Sequence, residues 1–309
     1  MFANPVDVLK QFPVRKTKVQ KEAFRRAVQS YGERLGYPVT LEKGQFGVCN
    51  ILLGNPESAK FLVTAHYDTC AGMLLPNFIT PCNVAIYLAY QFALVLVLIV
   101  SSAAAGAAAG VLFGTAAIKW VSLTVYCLLL LSMIFGPGNQ NNANDNTSGV
   151  VTLLEIAGSM PENQRHKVCF VLFDLEEAGL LGSDSYRKKH KLQTDRQLVL
   201  NLDCVGDGDH IRMFPTKRLR KDRRKLTSLY RACGYFGSKS LLLHEKGACV
   251  YPSDQKQFPY GIGICALRKW RKTLYMSRIH TKRDTVLDTT NVNILRAALT
   301  TFICCDEVN

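Results

Sequence analysis

The sequence has no Cys-x-x-Cys pair, and its 11 cysteines follow no spacing framework; only Cys304 and Cys305 are adjacent. That pattern excludes a thiolate zinc site of the finger type and argues against a disulfide scaffold. Reduced thiols in a cytosol-facing protein are expected, most of them small buried hydrophobes. An apolar core region is missing from Met1 to Gln20, which carries Lys10, Arg15, Lys16 and Lys18 instead. No cleavable signal peptide is expected there, and the N-terminus is expected on the cytosolic side. Acidic residues are in deficit: 24 Asp plus Glu stand against 38 Lys plus Arg, a formal charge of +14. Such an excess points to an anionic partner, nucleic acid or an anionic lipid surface, and is silent on fold.

Charge disappears from Val84 to Ala109, and Val111 to Phe135 holds only Lys119. Each stretch reaches the roughly 20 apolar residues that cross a bilayer core as a helix. A buried helical pair in a soluble core is the competing reading, but such helices seldom run this long without polar residues. Two membrane-spanning helices within residues 84–135 are therefore expected, with lipid as a partner. The Ala/Gly run Ala103 to Gly110 offers an alternative place for the connection. Basic residues lie before Asn83 and after Gly136, so the positive-inside rule puts both flanks in the cytoplasm. Lys119, about a third of the way along the second segment, is placed to snorkel toward an interface.

Residues 1–69 and 136–309 would then form one domain, interrupted by the insertion 70–135. A helix is expected across residues 5–36, closed by Gly36 and Pro38. Strands with turn signals at Gly44 and Gly47 follow to Leu53, then the strand Phe61 to Ala65. After the hydrophobic insertion come a helix at 150–157, a strand at 167–173, a helix at 178–190 and a strand at 197–202. A helix near 226–233, strands at 240–244 and 262–267 and a closing helix at 291–304 complete the chain. Strands alternating with helices give a three-layer α/β sandwich around a mixed, mostly parallel sheet. In such sheets sites form at the carboxyl ends of strands.

The polar residues fit that rule. The strand Phe61 to Ala65 ends in His66 and Asp68, which share a face because strand side chains alternate. A neutral imidazole can bind a metal through one nitrogen while a carboxylate holds the other nitrogen's proton. The strand 167–173 runs into Asp174, Glu176 and Glu177, and the strand 197–202 into Asp203. Asp145 stands at a helix start and His280 before the closing helix. The acidic pair Glu176-Glu177 also has a plainer reading, a solvated helix start where carboxylates favour the dipole.

Five motifs in order carry a resemblance. They are His66-x-Asp68, Asn144-Asp-Asn-x-Ser-Gly149, Glu176-Glu-Ala-Gly-Leu-Leu-Gly-Ser183, Asn201-Leu-Asp-x-x-Gly206 and His280-Thr-x-x-Asp-Thr285. Together they resemble the co-catalytic dizinc aminopeptidases of metallopeptidase family 28, and Ser253-Asp254 with Phe258 and Gly261-Ile262 resembles a further signature of it. The resemblance implies two zinc ions: His66 and Asp203 on one, Glu177 and His280 on the other, Asp145 bridging. It also implies that Asp68 orients His66, that Glu176 is the general base, and that the domain 1–69 plus 136–309 cleaves residues from peptide N-termini. Such a site would lower the pKa of a shared water and let the free carboxylate carry its proton. The departure from the family is the length between His66 and Asp145, into which the hydrophobic insertion falls, so the mouth is expected near the membrane surface with peptides presented there. A glutaminyl-cyclase-type acyl transferase with one zinc, and a membrane scaffold that only binds peptides or a partner, are the alternatives. The nitrogen and oxygen donors alone do not separate zinc from cobalt or manganese.

The run Lys217 to Lys225 holds seven basic residues in nine. It reads as a solvated helix and loop or as a surface drawn to anionic headgroups, at about 1 kcal/mol per basic residue. No nucleic acid is expected, because no aromatic platform or recognised module accompanies it.

Overall fold

Runs of apolar, often β-branched residues without polar alternation produce strands buried on both faces. Phe61–His66, Val168–Phe173 and Leu198–Leu202 are of this kind, every residue buried. The computed structural model describes residues 2–73 and 75–305. Its strands are β1 (Val39–Lys43), β2 (Cys49–Leu53), β3 (Phe61–His66), β4 (Val168–Phe173), β5 (Leu198–Leu202), β6 (His210–Pro215), β7 (Gly234–Phe236), β8 (Lys239–Leu243), β9 (Gly261–Trp270) and β10 (Thr273–Tyr275). They form one mixed sheet in the order β1-β2-β4-β3-β5-β9-β6-β8-β7, with β10 paired to β9. The central strands β4, β3, β5 and β9 run parallel. Antiparallel pairs flank them, β2 on β4 and β6 on β9.

The main helices are α1 (Lys18–Arg34), α2 (Val84–Phe113), α3 (Ala116–Phe135), α4 (Gly149–Ser159), α5 (Leu181–Lys189) and α6 (Thr289–Cys304). Phe24 and Val28 of α1, Val151 and Leu154 of α4, and Leu295 and Leu299 of α6 pack in one core with Val63, Leu172, Leu200 and Ile264 of the sheet. On the opposite face Tyr186 of α5 joins Leu62, Val171, Phe173, Val199 and Phe258. The result is the expected three-layer α/β sandwich.

Several boundaries differ from expectation. The segment 5–36 is not one helix: short turns at Pro5–Asp7 and Val8–Gln11 precede α1, which starts at Lys18. Pro13 lacks an N–H and pushes Phe12 toward extended backbone, while Thr17 and Gln20 form a capping box that starts a new helix. The expected helix at 178–190 begins only at Leu181. Leu175 and Leu180 have φ of +55° and +62°, left-handed values that stop a helix and shape a loop instead. The helix expected near 226–233 is Arg223–Ser228, continued by a tighter turn Leu229–Ala232. Strands β6, β7 and β10 were not expected; β6 contains Arg212 and ends in Pro215, which obscure its apolar residues Ile211, Met213 and Phe214.

The hydrophobic insertion is a helical hairpin of 30 and 20 residues, both helices long and apolar enough to cross a membrane and neither window buried. Gly114, with φ +88°, and Thr115 make the connection, so Ala103 to Gly110 lies inside α2. The small residues serve packing. Ser102 and Gly106 are the buried positions of α2, and a Cβ on Gly106 would come within 2.0 Å of Ser122 Oγ and 2.6 Å of the Ile118 carbonyl. Small residues four apart let helix backbones approach closely. Lys119 sits in the first turn of α3 beside that connection, its Nζ 5.6 Å from the Trp120 ring centre.

Candidate metal centre

The carboxyl ends of β3, β4 and β5 lie side by side on one edge of the sheet. His66 closes β3, the loop after β4 presents Glu176 and Glu177, and Asp203 follows β5 directly. Asp145 and His280 arrive from two loops. Asp145 is central: its Oδ1 is 3.3 Å from His66 Nε2 and its Oδ2 is 2.9 Å from His280 Nε2. Asp203 Oδ1 lies 3.6 Å from the same His66 nitrogen, and Glu177 Oε2 lies 3.5 Å from His280 Nε2. All five residues expected as ligands thus lie in one cluster, Asp203 near His66, Glu177 near His280 and Asp145 near both.

The two remaining site residues join them. Asp68 places Oδ1 3.5 Å from His66 Nδ1 and accepts the backbone N–H of Glu176 at 3.0 Å and of Glu177 at 3.2 Å. One carboxylate therefore holds the backbone of the acidic pair and lies against the His66 ring. Glu176 lies within 4.8 Å of donor atoms of His66 and Glu177. Glu176 and Glu177 keep partial access to the cleft, whereas His66, Asp68, Asp145 and Asp203 are buried.

Loop backbones are held by residues that sequence reasoning did not assign. Asn146 Oδ1 accepts the N–H of Gly149 and Cys204, and its amide donates to the carbonyls of His66 and Leu202. Asp284 accepts the N–H of Asn144 at 2.8 Å and of Asp145 at 2.9 Å. Its place four residues after His280 in a common motif was the available signal. The peptide bond Asp145-Asn146 is cis. Arg15, read from the sequence only as charge, is fully buried behind the cluster and donates to the carbonyls of Tyr67 and Phe12 and to Thr147 Oγ1. Burial lowers it to about 10, against the pull of Asp68 and Asp145.

The electrostatics are those of closely spaced, buried carboxylates and imidazoles. Burial, reinforced by the Asp145 charge, pushes Glu177 up to about 7. Burial raises Glu176 as well, with Glu177, Asp254 and Asp203 adding to it. Asp254, enclosed and without hydrogen-bond partners on either oxygen, is pushed up by burial to about 7, as is Asp284 beside Asp145. Burial opposes charge on His280, but Glu177 and Asp145 carry it up to about 9. Despite its own burial, Asp145 is held well below the usual carboxylate range by His280 and His66. Burial, helped by Glu177 and Asp145, pushes the nearby Cys70 thiol well above its usual value. Buried His66 Nδ1, Asp203 Oδ1 and Glu177 Oε1 have no hydrogen-bond partner. Divalent cations fit this donor set, which offers imidazole nitrogen and carboxylate oxygens on either side of Asp145.

The hairpin is tied to this centre. Its two strands of connecting chain form a neck: Ala71 bridges Gly138, Gly72 N–H donates to the Pro137 carbonyl, and Asn139 N–H to that of Cys70. The neck also bonds the His280 segment, Met73 N–H to the His280 carbonyl at 2.7 Å and Ile79 to Met276. Lys16 Nζ donates to the Ile134 carbonyl at the end of α3. The basic run 217–225 lies elsewhere. It follows Pro215, which pairs with Ile262 near the start of β9, at the edge opposite the His66 and Asp145 cluster. A cavity of about 1150 Å³ opens on that edge, lined in part by Lys60, Arg196, Arg223 and Arg231.

A mixed, parallel-centred sheet between helix layers is a fold like that of the zinc exopeptidases. Solved structures bear this out for the fold: a Zn-dependent exopeptidase from Parabacteroides distasonis superimposes with a TM-score of 0.62 at 17% identity, covering 97% of this chain and 95% of that one. The glutaminyl cyclase of Porphyromonas gingivalis gives 0.60 at 16% identity, with 97% and 96% covered. The Legionella pneumophila LapA aminopeptidase gives 0.58 at 14% identity, with 99% and 72% covered. A sequence search of curated proteins found no match. The profile of Peptidase family M28 matches residues 131–302, more than half the chain, and the protein belongs to that family. The match includes Asp145, Glu176, Glu177, Asp203 and His280; His66 and Asp68 precede it, on the far side of the hairpin.

Proposed function

We propose that the protein is a membrane-anchored aminopeptidase that uses two divalent metal ions, zinc by family precedent, to hydrolyse the first peptide bond of its substrates. The observation that carries this reading is the position of Asp145, with one oxygen 3.3 Å from His66 and the other 2.9 Å from His280. His66 and Asp203 would hold one ion and Glu177 and His280 the other, with Asp145 between them. Bound there, the ions would acidify a shared water and polarise the scissile carbonyl. Asp68 keeps the His66 ring oriented and, through the two N–H groups it accepts, sets Glu176 relative to Glu177. Glu176 takes the proton from the attacking water and returns it to the leaving amine. Burial and neighbouring carboxylates raise its proton affinity, which suits a group that must carry a proton between two steps.

In this reading α2 and α3 cross the bilayer as a hairpin with the α/β unit on the cytoplasmic side, as the distribution of basic residues favours. The neck hydrogen-bonded to the His280 segment keeps the mouth near the membrane surface, and short apolar peptides presented there are the proposed substrates. Attraction of the run 217–225 to anionic headgroups is a separate proposal, because that run lies at the opposite edge. Flotation of a run-neutralised variant on vesicles with and without anionic lipid tests it.

The decisive assay compares wild type and Glu176→Gln in detergent on aminoacyl chromogenic substrates, with metal content measured on both. The expected result is hydrolysis by wild type, sensitive to chelation, and a loss of about 10²–10⁴ in kcat at unchanged metal content in the variant. Bound metal with no hydrolysis by either protein favours a binding module, and cyclisation of N-terminal glutaminyl peptides without hydrolysis favours acyl transfer. Unchanged location and peptide preference after deletion of residues 71–135 would refute presentation at the bilayer.

A further inference from the structure

The ligand sets above leave one donor unused. Cys70 follows Asp68 by two residues, is 1% exposed, and contributes its Sγ to a group with Glu177 and His280 whose donor atoms all lie within 4.8 Å of one another. An ion bonded at 2.0–2.3 Å holds its ligands within about 4.6 Å of each other, so the three need little adjustment to share one. The neck holds the thiol in place: the Cys70 carbonyl accepts Asn139 N–H at 3.0 Å, and Met73 N–H donates to the His280 carbonyl. Glu177, a member of that group, has its Oε1 buried without a partner. Among the described residues the His66, Asp145 and Asp203 group has no sulfur donor.

We infer that Cys70 is a metal ligand, its thiolate joining Glu177, His280 and Asp145 Oδ2 around the ion on the His280 side. This rests on the two-metal reading and makes its two sites unlike. His66, Asp145 and Asp203 supply three protein donors and leave a position open, whereas the other side, with four, would admit the shared water only as a fifth ligand. A soft sulfur donor also moves that side's preference toward zinc and cadmium and away from manganese and magnesium. On binding, the S–H bond is replaced by a sulfur–metal bond and the proton leaves to water, with no change in oxidation state.

The full chain, purified in detergent, chelated and reloaded with Co²⁺, tests this by absorption. Wild type should show a thiolate-to-cobalt charge-transfer band in the near ultraviolet. Cys70→Ser should lose that band while keeping its weaker visible cobalt bands and a wild-type circular dichroism spectrum. Zinc-edge X-ray absorption on the zinc-loaded wild type needs no variant and should contain a sulfur shell at about 2.3 Å. Two bound ions with no sulfur contribution, or a charge-transfer band that survives Cys70→Ser, would overturn the inference and leave the two-metal reading standing. Failure of the wild type to bind cobalt or zinc would overturn both.

Discussion

Replacing Asn146 with alanine probes how the edge that carries the His66 and Asp145 cluster is held together. The side chain is fully buried and serves four backbone groups: Gly149 N–H at 3.1 Å, Cys204 N–H at 3.1 Å, the Leu202 carbonyl at 3.0 Å and the His66 carbonyl at 3.3 Å. It thereby joins the ends of β3 and β5 to the first turn of α4. Asn146→Ala strands two buried N–H donors, each costing about 1–3 kcal/mol, so a loss of about 2–6 kcal/mol is expected. For a domain of this size that lowers the thermal midpoint by roughly 5–20 °C. The assay is thermal unfolding of the chelated protein in detergent, followed by circular dichroism, so that metal binding does not mask the loss. Metal titration of the same variant should show weaker binding, because His66, Asp145 and Asp203 all border the lost bonds. A midpoint within about 2 °C of wild type together with unaltered metal affinity would refute the reasoning.

Arg15→Met leaves the Tyr67 and Phe12 carbonyls and Thr147 Oγ1 without their donor and removes the cation behind Asp68 and Asp145. A cost of about 3–5 kcal/mol in chelated stability is expected, and Arg15→Lys should not restore it, since an ammonium lacks the planar fork. Thermal scans over pH should show the chelated protein losing stability on the alkaline side. Glu177 rises from 4.5 to about 7 and His280 from 6.5 to about 9, so their contribution is full below the unfolded values and is lost as pH climbs through 7 and then 9. Metal affinity should move the opposite way, rising with pH over the same window as those protons become easier to displace. Gly106→Leu should separate α2 from α3, because even a Cβ there meets Ser122 Oγ at 2.0 Å. The expected readout is a lower detergent aggregation temperature at unchanged metal content; an unaltered temperature would count against close packing of the hairpin.

The metal-facing edge was legible because its strands are continuous apolar runs that end abruptly in titratable residues: β3 in His66, β4 just before Asp174 to Glu177, β5 just before Asp203. Asp145 and His280 needed the ordered motifs, since neither follows a strand. Contacts that hold these residues were harder to read. Asp284 reaches Asp145 across 139 positions, and Arg15 reaches Thr147 across 132, distances over which local pattern carries no information. The hairpin's length and apolarity were plain, but not its turn. Ala103 to Gly110 offered an alternative place for the connection, whereas the missing side chains there make room for α3. The basic run was equally plain, yet only strand direction shows it to be at the edge away from the ligands, because β6 runs antiparallel to β9.

The central claim is that Asp145 stands between two metal ions. A zinc-edge anomalous difference map from crystals of the zinc-loaded protein tests it directly. The account predicts two peaks, one between Asp145, His66 and Asp203 and one between Asp145, Glu177 and His280; a single peak on one side only, or none at Asp145, would contradict it.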